Sequence, residues 1–357
     1  MLPWYATREA VARATDVKAS AHAWVQIDRG LDAGSRRIES LCHRKFYPQV
    51  ATRYFAWPDY ENGSWGRPWQ LWLGDNELIS LTSLTSNGAA VPLANIYLEP
   101  VNTGPPYTRI ELDRASSAAF SGATGPQRAI AVTGVFGYTA DEILASELAE
   151  ALDSSETEVD VTDSPLIGVG ALLRIGTERM IVTGRSMLTT GQTLQTPLAA
   201  MVADVTVAVT TGSAYSVDEI LLLDSERMLI VDIAGNQLTV KRAWDGTVLA
   251  AHTGSTIYAA RTLTVERGVL GTTAATHLAA APIYRHAPPG LVRDLCIALA
   301  MDSLAKEGAG YAQTAGTKDQ RRGQSSDSRR PTTGTQLSSL VEDVYTTYGR
   351  QYRMSVI

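Results

Sequence analysis

Apolar residues recur every three or four positions near both ends of the chain, the spacing of helices that bury one face. We predict helices over residues 20–44, 288–306 and 336–348, with a shorter helix over residues 7–14. Prolines 288–289 suit a helix start. The longest predicted helix carries an apolar stripe made of Trp24, Ile27, Leu31, Ile38 and Leu41.

The pattern changes to short extended runs between residues 52 and 135. These runs are separated by Gly, Pro, Asn and Asp, which predicts β-strands linked by turns. After the last run, residues 139–142 read Thr-Ala-Asp-Glu, a capping box that predicts a helix through about residue 152. The predicted strands cover residues 53–57, 70–73, 78–84, 96–98, 108–112 and 129–135.

The chain repeats itself between residues 157 and 286. Half A, read as ERMIV at 178–182, returns 48 positions later as ERMLIV at 226–231. Half B, read as LTVKR at 238–242, returns 25 positions later as LTVER at 263–267. Gly, Thr and His follow half B in both copies, so the order along the chain is A, A, B, B.

Two arrangements fit that order. The halves could be hairpins stacked in series, or one complete β unit could be inserted inside the other. We favour nesting, because the second A half runs into B through a short turn at 235–236. The first A half instead meets a Gly/Thr/Gln-rich stretch at 184–197, where an insertion is tolerated.

Composition and charge narrow the class of protein. The chain has 357 residues, of which 45% are hydrophobic and 19% charged, enough for two or three domains with real cores. A net charge of −6 disfavours a protein whose main task is to coat nucleic acid. We find neither a signal peptide nor an apolar run of the roughly 18 residues that span a membrane, so we expect a soluble product made in the cytoplasm.

Candidate chemistry is sparse, and we expect no enzyme, no cofactor and no metal site. Cys42 and Cys296 lie among apolar residues, which predicts two buried free thiols. His252 and His277 are repeated but lack further ligands at metal spacing, so we interpret them as closing turns by hydrogen bonds. The Glu-Arg pairs at 178–179 and 226–227 are expected on the solvated face of a strand.

A group of aromatic residues between positions 54 and 72 has two possible roles. Its rings could form a platform for sugars or bases. Anchoring a sheet or filling a subunit interface is the commoner use of such residues. The group consists of Tyr54, Trp57, Tyr60, Trp65, Trp69 and Trp72.

Residues 308–335 are poor in apolar side chains and carry five basic and two acidic residues. One interpretation is a flexible loop between two helices. The other is an arm that becomes ordered against an acidic neighbour or DNA, and the two are compatible. The basic residues are Lys318, Arg321, Arg322, Arg329 and Arg330.

Three motifs lie at residues 37–46, 71–84 and 131–138. These segments resemble the head-to-tail connector (adaptor, head completion) proteins of tailed bacteriophages. Residues 37–46, RIESLCHRKF, resemble the end of the family's long helix, and residues 71–84 are similar to the strand pair that follows it. Residues 131–138, AVTGVFGY, resemble a later family strand. In simpler members that strand leads directly into the next helix, which here comes about 150 residues later. The repeated β units are therefore the departure, and they resemble repeats of several phage virion proteins only loosely.

The resemblance implies a structural virion protein in the neck, forming a ring, usually twelve-fold, under the portal. Its partners would be other copies, the portal protein, the tail terminator or next neck protein, and DNA passing through the lumen without sequence-specific binding. A carbohydrate-binding or decorating virion protein is the alternative. Tyr345 and Tyr348 could instead pack the last helix onto the core. The implied portal contacts are Tyr345, Tyr348, Tyr352, Met354, Val356 and Ile357.

The expected fold class is α+β, with a helical core built from both ends of the chain and an inserted all-β domain of two nested similar units. The expected parts are a helical first part (1–50), a β-rich region (51–138), a linking helix (139–156), an outer β unit (157–204 with 259–287), an inner β unit (205–258) and a helical second part (288–357) with the loop and C-terminal tail.

Overall fold

The computed structural model describes residues 1–15, 23–58, 67–121, 125–308 and 333–350. Within these residues, 37% lie in strands and 21% in helices. The helices are α1 (Arg8–Thr15), α2 (Ala23–Cys42), α3 (Gly290–Gly308) and α4 (Thr333–Tyr348). They confirm the four helices that the apolar periodicity predicts at the two ends of the chain.

In the described residues, seventeen strands lie between α2 and α3. The first seven are β1 (Gln49–Phe55), β2 (Gln70–Trp72), β3 (Leu78–Ser86), β4 (Ala89–Val91), β5 (Ile96–Glu99), β6 (Arg109–Leu112) and β7 (Ile130–Phe136). The next five are β8 (Glu142–Glu147), β9 (Glu158–Asp160), β10 (Leu172–Ile175), β11 (Glu178–Thr193) and β12 (Thr206–Ala208). The last five are β13 (Ile220–Leu223), β14 (Glu226–Ala234), β15 (Gln237–Trp244), β16 (Thr256–Glu266) and β17 (Pro282–His286).

These strands form three sheets. A four-stranded sheet has the order β1-β7-β3-β4, and a three-stranded sheet has the order β2-β6-β5. The two share one core, in which Leu78, Ile110 and Ile130 are fully buried. The third sheet has ten strands in the order β12-β15-β14-β13-β16-β11-β10-β17-β8, with β9 paired to β16. All the pairings are antiparallel, and two-residue turns connect β3 to β4, β10 to β11, β13 to β14 and β14 to β15.

Helix α2 buries the apolar stripe that its sequence predicts. Ile27, Leu31 and Ile38 are shielded from solvent, which stabilises the fold by roughly 1.5–3 kcal/mol for each such side chain. Helix α3 crosses α2 where α2 carries two glycines. A Cβ at Gly30 would lie 3.3 Å from the backbone of Ala300, so the small residue sets how closely the two helices approach.

The predicted fold class is wrong. The chain is mostly β, and its helices have no core of their own: Leu31 and Leu295 pack in the same cluster as Met180 and Val265 of the ten-stranded sheet. An amphipathic helix needs an apolar surface, but its periodicity does not say whether a helix or a sheet supplies it. The one sheet runs through both copies of the repeat, but Met180 and Val265 pack with the helices, whereas Leu221 and Ile230 lie in a separate hydrophobic cluster.

The helix predicted from the capping box at 139–142 is also wrong. Those residues lead into strand β8, which pairs with β17 through Glu142↔His286 and Ile143↔Arg285. The Thr139 hydroxyl does accept a hydrogen bond, at 3.1 Å from the Asp141 backbone N–H. That bond closes a local turn and not a helix, because Thr residues make such contacts in both settings.

Each A half pairs with a B half in the ten-stranded sheet. The first A half, on β11, pairs with the second B half on β16, where Val182 faces Val265. The second A half, on β14, pairs with the first B half on β15, where Ile230 faces Val240. Strand β13 then joins β16, so both copies lie in one sheet.

Candidate assembly site

Three segments that are distant in sequence meet in one aromatic cluster. The rings of Phe46, Tyr138 and Tyr348 lie in mutual edge-to-face contact, with centroid distances of 5.3 Å for Phe46–Tyr138 and 5.7 Å for the two pairs with Tyr348. Such pairs contribute about 0.5–1.5 kcal/mol each beyond the area they bury. We call these three residues the aromatic cluster.

The end of α2 places Phe46. His43 adopts the left-handed conformation with φ 51°, which stops the helix after Cys42. The Phe46 backbone N–H then donates to the Tyr5 hydroxyl at 3.1 Å, and the His286 Nε2–H donates to the Phe46 carbonyl at 2.6 Å. Phe46 is fully buried as a result.

Two glycines of the 131–138 segment let Tyr138 approach. A Cβ at Gly137, where φ is +144°, would lie 2.3 Å from the Tyr47 carbonyl oxygen. A Cβ at Gly134 would lie 2.2 Å from the Ser80 carbonyl oxygen. Both contacts are far shorter than side chains allow, so the sequence needs glycine at these positions. The Tyr138 backbone N–H can then donate to the Lys45 carbonyl at 2.8 Å.

Helix α4 supplies the third ring, and Arg350, just after the helix, is held by a hydrogen bond and two ion pairs. The Arg350 backbone N–H donates to the Cys42 carbonyl at 3.1 Å and so satisfies an end group of α2. Its guanidinium lies 2.6 Å from Asp75 Oδ1 and 3.2 Å from Glu77 Oε1. The chain is therefore held against the body up to residue 350.

The predicted portal contacts divide into three groups. Tyr348 packs in the aromatic cluster, whereas Tyr345 on the same helix is 45% exposed. The others, Tyr352, Met354, Val356 and Ile357, lie outside the described residues. So do the basic residues Lys318, Arg321, Arg322, Arg329 and Arg330.

The aromatic residues weighed as a possible platform also separate. The Trp57 indole N–H donates to the Phe120 carbonyl at 2.9 Å, and Trp69 packs against the same core beneath Arg114. Trp72 is 52% exposed and Tyr54 63% exposed, on different sheets. Tyr60 and Trp65 lie outside the described residues.

The repeated Glu, Arg and His residues form two buried clusters that the sequence analysis missed. Glu178 is fully buried and accepts hydrogen bonds from Arg267 Nε at 2.6 Å and His277 Nε2 at 2.8 Å. Glu226 is equally buried between Arg242 Nε at 2.7 Å and His252 Nε2 at 3.0 Å. The expectation of Glu on a solvated strand face is thus wrong.

Burial and hydrogen bonding act in opposite directions on these two carboxyls. Burial raises the pKa of Glu178, but hydrogen bonds from Arg267 and His277 outweigh it and bring the pKa to about 2. The same balance, with Arg242 and His252 as donors, brings the pKa of Glu226 to about 2. Both groups therefore remain ionised inside the sheet.

The histidines consequently hold carboxylates and do more than close turns. His252 also lies 2.7 Å from Asp224 through Nδ1, and glycine, Gly176, takes the equivalent place in the other copy. Both positions have positive φ, 52° and 57°, in the turn before the buried Glu. Glu, Arg and His recur together in both copies of the repeat, and this joint repetition could have revealed the buried clusters. The alternation of residues along a strand does not reveal them.

The cysteines are free and buried, as predicted. Burial raises the pKa of Cys42 to about 11, so its thiol stays protonated and unreactive at neutral pH. In the described part of the chain, no group of three or more His, Cys, Asp or Glu side chains could hold a metal ion. Among the same residues, no helix is long and apolar enough to cross a bilayer.

Comparison with known proteins adds no further guide to this site. No protein-family model, curated protein or solved structure matches the chain.

Proposed function

We propose that this chain is a head-to-tail connector subunit of a tailed bacteriophage, which forms a ring under the portal and joins the DNA-filled capsid to the tail. Its partners in the virion neck are other copies of itself, the portal protein and the tail terminator or next neck protein. DNA passes through the lumen without sequence-specific contacts. Its role is assembly and not catalysis.

The aromatic cluster carries this proposal. Two of its rings, Phe46 and Tyr138, belong to two of the three segments on which the resemblance to connectors rests. The third, Tyr348, belongs to the C-terminal part that the resemblance assigns to portal contact. Short motifs that match by chance have no reason to meet in space, so their convergence supports a shared structural role.

The arrangement also suits the presentation of α4 to a partner. Tyr348 and Arg350 fix the end of the helix, while Tyr345 keeps its ring exposed. A tyrosine held on a rigid element loses little conformational entropy on binding and is a frequent hot-spot residue. One such contact per subunit is modest, and a closed ring multiplies it by avidity.

Binding to portal rings tests the proposal. The purified chain is mixed with purified portal protein of the same phage, and complexes are counted by electron microscopy and sized by native mass spectrometry. We expect rings of this chain stacked on portal rings, and about tenfold weaker association for Tyr345→Ala. Tyr54→Ala, which removes an even more exposed ring elsewhere, is the matched control and should bind normally.

Two results would count against the proposal. The wild-type chain could fail to associate with portal rings at any concentration tested. Alternatively, Tyr345→Ala and Tyr54→Ala could bind as well as the wild type, which would move the portal contact away from α4.

A further inference from the structure

The three-stranded sheet β2-β6-β5 has one buried face and one partly open face, on which Gln70 is still buried. Leu71, Ile110 and Leu112 point into the core and are nearly inaccessible to solvent. Because side chains alternate along a strand, their neighbours lie on the opposite face. There Trp72 is 52% exposed and Tyr97 is 54% exposed, so this face displays two aromatic rings to solvent.

The strand register places polar groups between the two rings. One row across the face is Gln70, Glu111 and Tyr97, and the next row is Trp72, Arg109 and Glu99. Trp72 and Tyr97 therefore stand at opposite corners, two strands and two residues apart. With strands about 4.8 Å apart and about 3.4 Å per residue, their Cα atoms are separated by roughly 12 Å.

The polar groups are already held in place by one another. The Gln70 amide Nε2 donates to Glu111 Oε1 at 2.8 Å, and Arg109 Nε lies 2.6 Å from the same oxygen. The Arg109 guanidinium also stacks 4.9 Å above the Trp72 ring. Arg109 and Glu111 remain partly exposed, which leaves them accessible to a ligand lying across the face.

This combination of groups matches the chemistry of a sugar. A pyranose ring has an apolar face that stacks on an aromatic ring and a rim of hydroxyls that need both donors and acceptors. Trp72 and Tyr97 supply the stacking surfaces, and the Arg109–Glu111 pair supplies a donor and an acceptor between them. We propose that this face binds a neutral oligosaccharide, with Trp72 and Tyr97 stacking on separate sugar rings.

The charge of this face favours a neutral sugar over a nucleic acid. Glu99 and Glu111 against Arg109 give the face a net charge of −1, which opposes the phosphates of a nucleic acid. A protein partner is disfavoured for a different reason. The centre of a protein interface is depleted in glutamate, whereas Glu111 lies on the central strand of this face.

The proposal does not depend on the connector role, and its site shares only Trp72 and no other described residue with the aromatic residues 54–72 weighed in the sequence analysis. Of the described tryptophans in that segment, Trp57 and Trp69 belong to the core and only Trp72 belongs to this face. Tyr97, the second ring, comes from a separate strand.

A glycan array of neutral oligosaccharides, probed with the labelled full-length chain, tests the proposal. Positive sugars are then titrated while tryptophan fluorescence is recorded. We expect at least one sugar of two or more rings to bind, with affinity about tenfold lower for Trp72→Ala and for Tyr97→Ala. Tyr54→Ala, on the neighbouring sheet, should bind like the wild type, and circular dichroism should show all three variants folded.

Several outcomes would overturn the proposal. No sugar on the array could bind, or binding could be unchanged in both Trp72→Ala and Tyr97→Ala. Single-stranded DNA that binds in a Trp72-dependent manner would instead make the face a nucleic-acid platform. A change in oligomeric state of Trp72→Ala, measured by analytical ultracentrifugation, would make it a contact between copies of the chain.

Discussion

Glu226 and His252 lie side by side inside the ten-stranded sheet, with Oε2 of the carboxylate 3.0 Å from Nε2 of the imidazole and both side chains inaccessible to solvent. Glu178 and His277 repeat the arrangement at 2.8 Å in the other copy. In each copy the arginine also donates to backbone carbonyls of nearby loops, such as Ala250 for Arg242 and Ala275 for Arg267. These clusters tie the loops of each repeat to its strands.

Removing one carboxylate charge tests this role. Glu226→Gln should lower the free energy of unfolding by about 3–5 kcal/mol, because Arg242 would remain buried without its counter-charge. Urea denaturation followed by circular dichroism measures the change. Glu150→Gln, an exposed position, should stay within about 0.5 kcal/mol of the wild type. Equal stability of the two variants would refute a stabilising role for the cluster.

The same carboxylates predict how stability depends on pH. Their folded pKa of about 2 lies below the ordinary value of 4.5, so the unfolded chain binds more protons as the pH falls. Their stabilising contribution is complete above about pH 4.5 and is lost as the pH falls towards 2. Melting temperatures measured between pH 7 and 3 should therefore fall less steeply in Glu226→Gln, because glutamine does not titrate. Parallel curves for the variant and the wild type would contradict this explanation.

Gly137 should be more sensitive to substitution than a glycine in open space. Gly137→Ala places a Cβ 2.3 Å from the Tyr47 carbonyl oxygen, whereas the same change at Gly74, also at positive φ, meets nothing within 4 Å. We expect Gly74→Ala to cost about 1 kcal/mol from backbone strain alone. Gly137→Ala should cost at least about 2–3 kcal/mol, since the strand must also move away from Tyr47. Thermal unfolding of the two variants provides the comparison, and similar losses would show that β7 can shift freely.

Substitution of Tyr348 should loosen helix α4, whereas substitution of Tyr345 should not. Tyr348→Ala removes a ring from the aromatic cluster and should loosen α4, seen as faster hydrogen exchange over residues 333–350. Tyr345→Ala should leave exchange and stability nearly unchanged, because its ring is exposed. The reverse result would mean that the cluster does not hold α4 in solution.

Local sequence patterns predicted elements better than they predicted packing. The stripe Ile27, Leu31 and Ile38 indicated α2 and its buried face, because helical periodicity is a property of one segment. The stripe could not show that a β-sheet completes the core beside α3, which decided the fold class. The capping-box residues at 139–142 were ambiguous for a related reason, since β8 is fixed by its partner strand β17.

For the candidate site, the sequence could predict only those features that depend on a single segment of the chain. The exposure of Tyr345 and the partial burial of Tyr348 depend on where α4 meets Phe46 and Tyr138, which are about 200 residues or more away in sequence. Glu178 was misassigned because its partner Arg267 is 89 positions away. In both cases long-range contacts set the environment, and a single sequence gives little access to such contacts.

Electron microscopy of lysates tests the connector role most directly. Under the proposed connector role, a phage that carries the gene for this chain is given a stop codon in it, and the wild-type chain supplied from a plasmid is the control. We expect DNA-filled heads and complete tails to accumulate separately, with joining restored by the plasmid. Normal joined particles from the stop-codon phage would contradict the connector role.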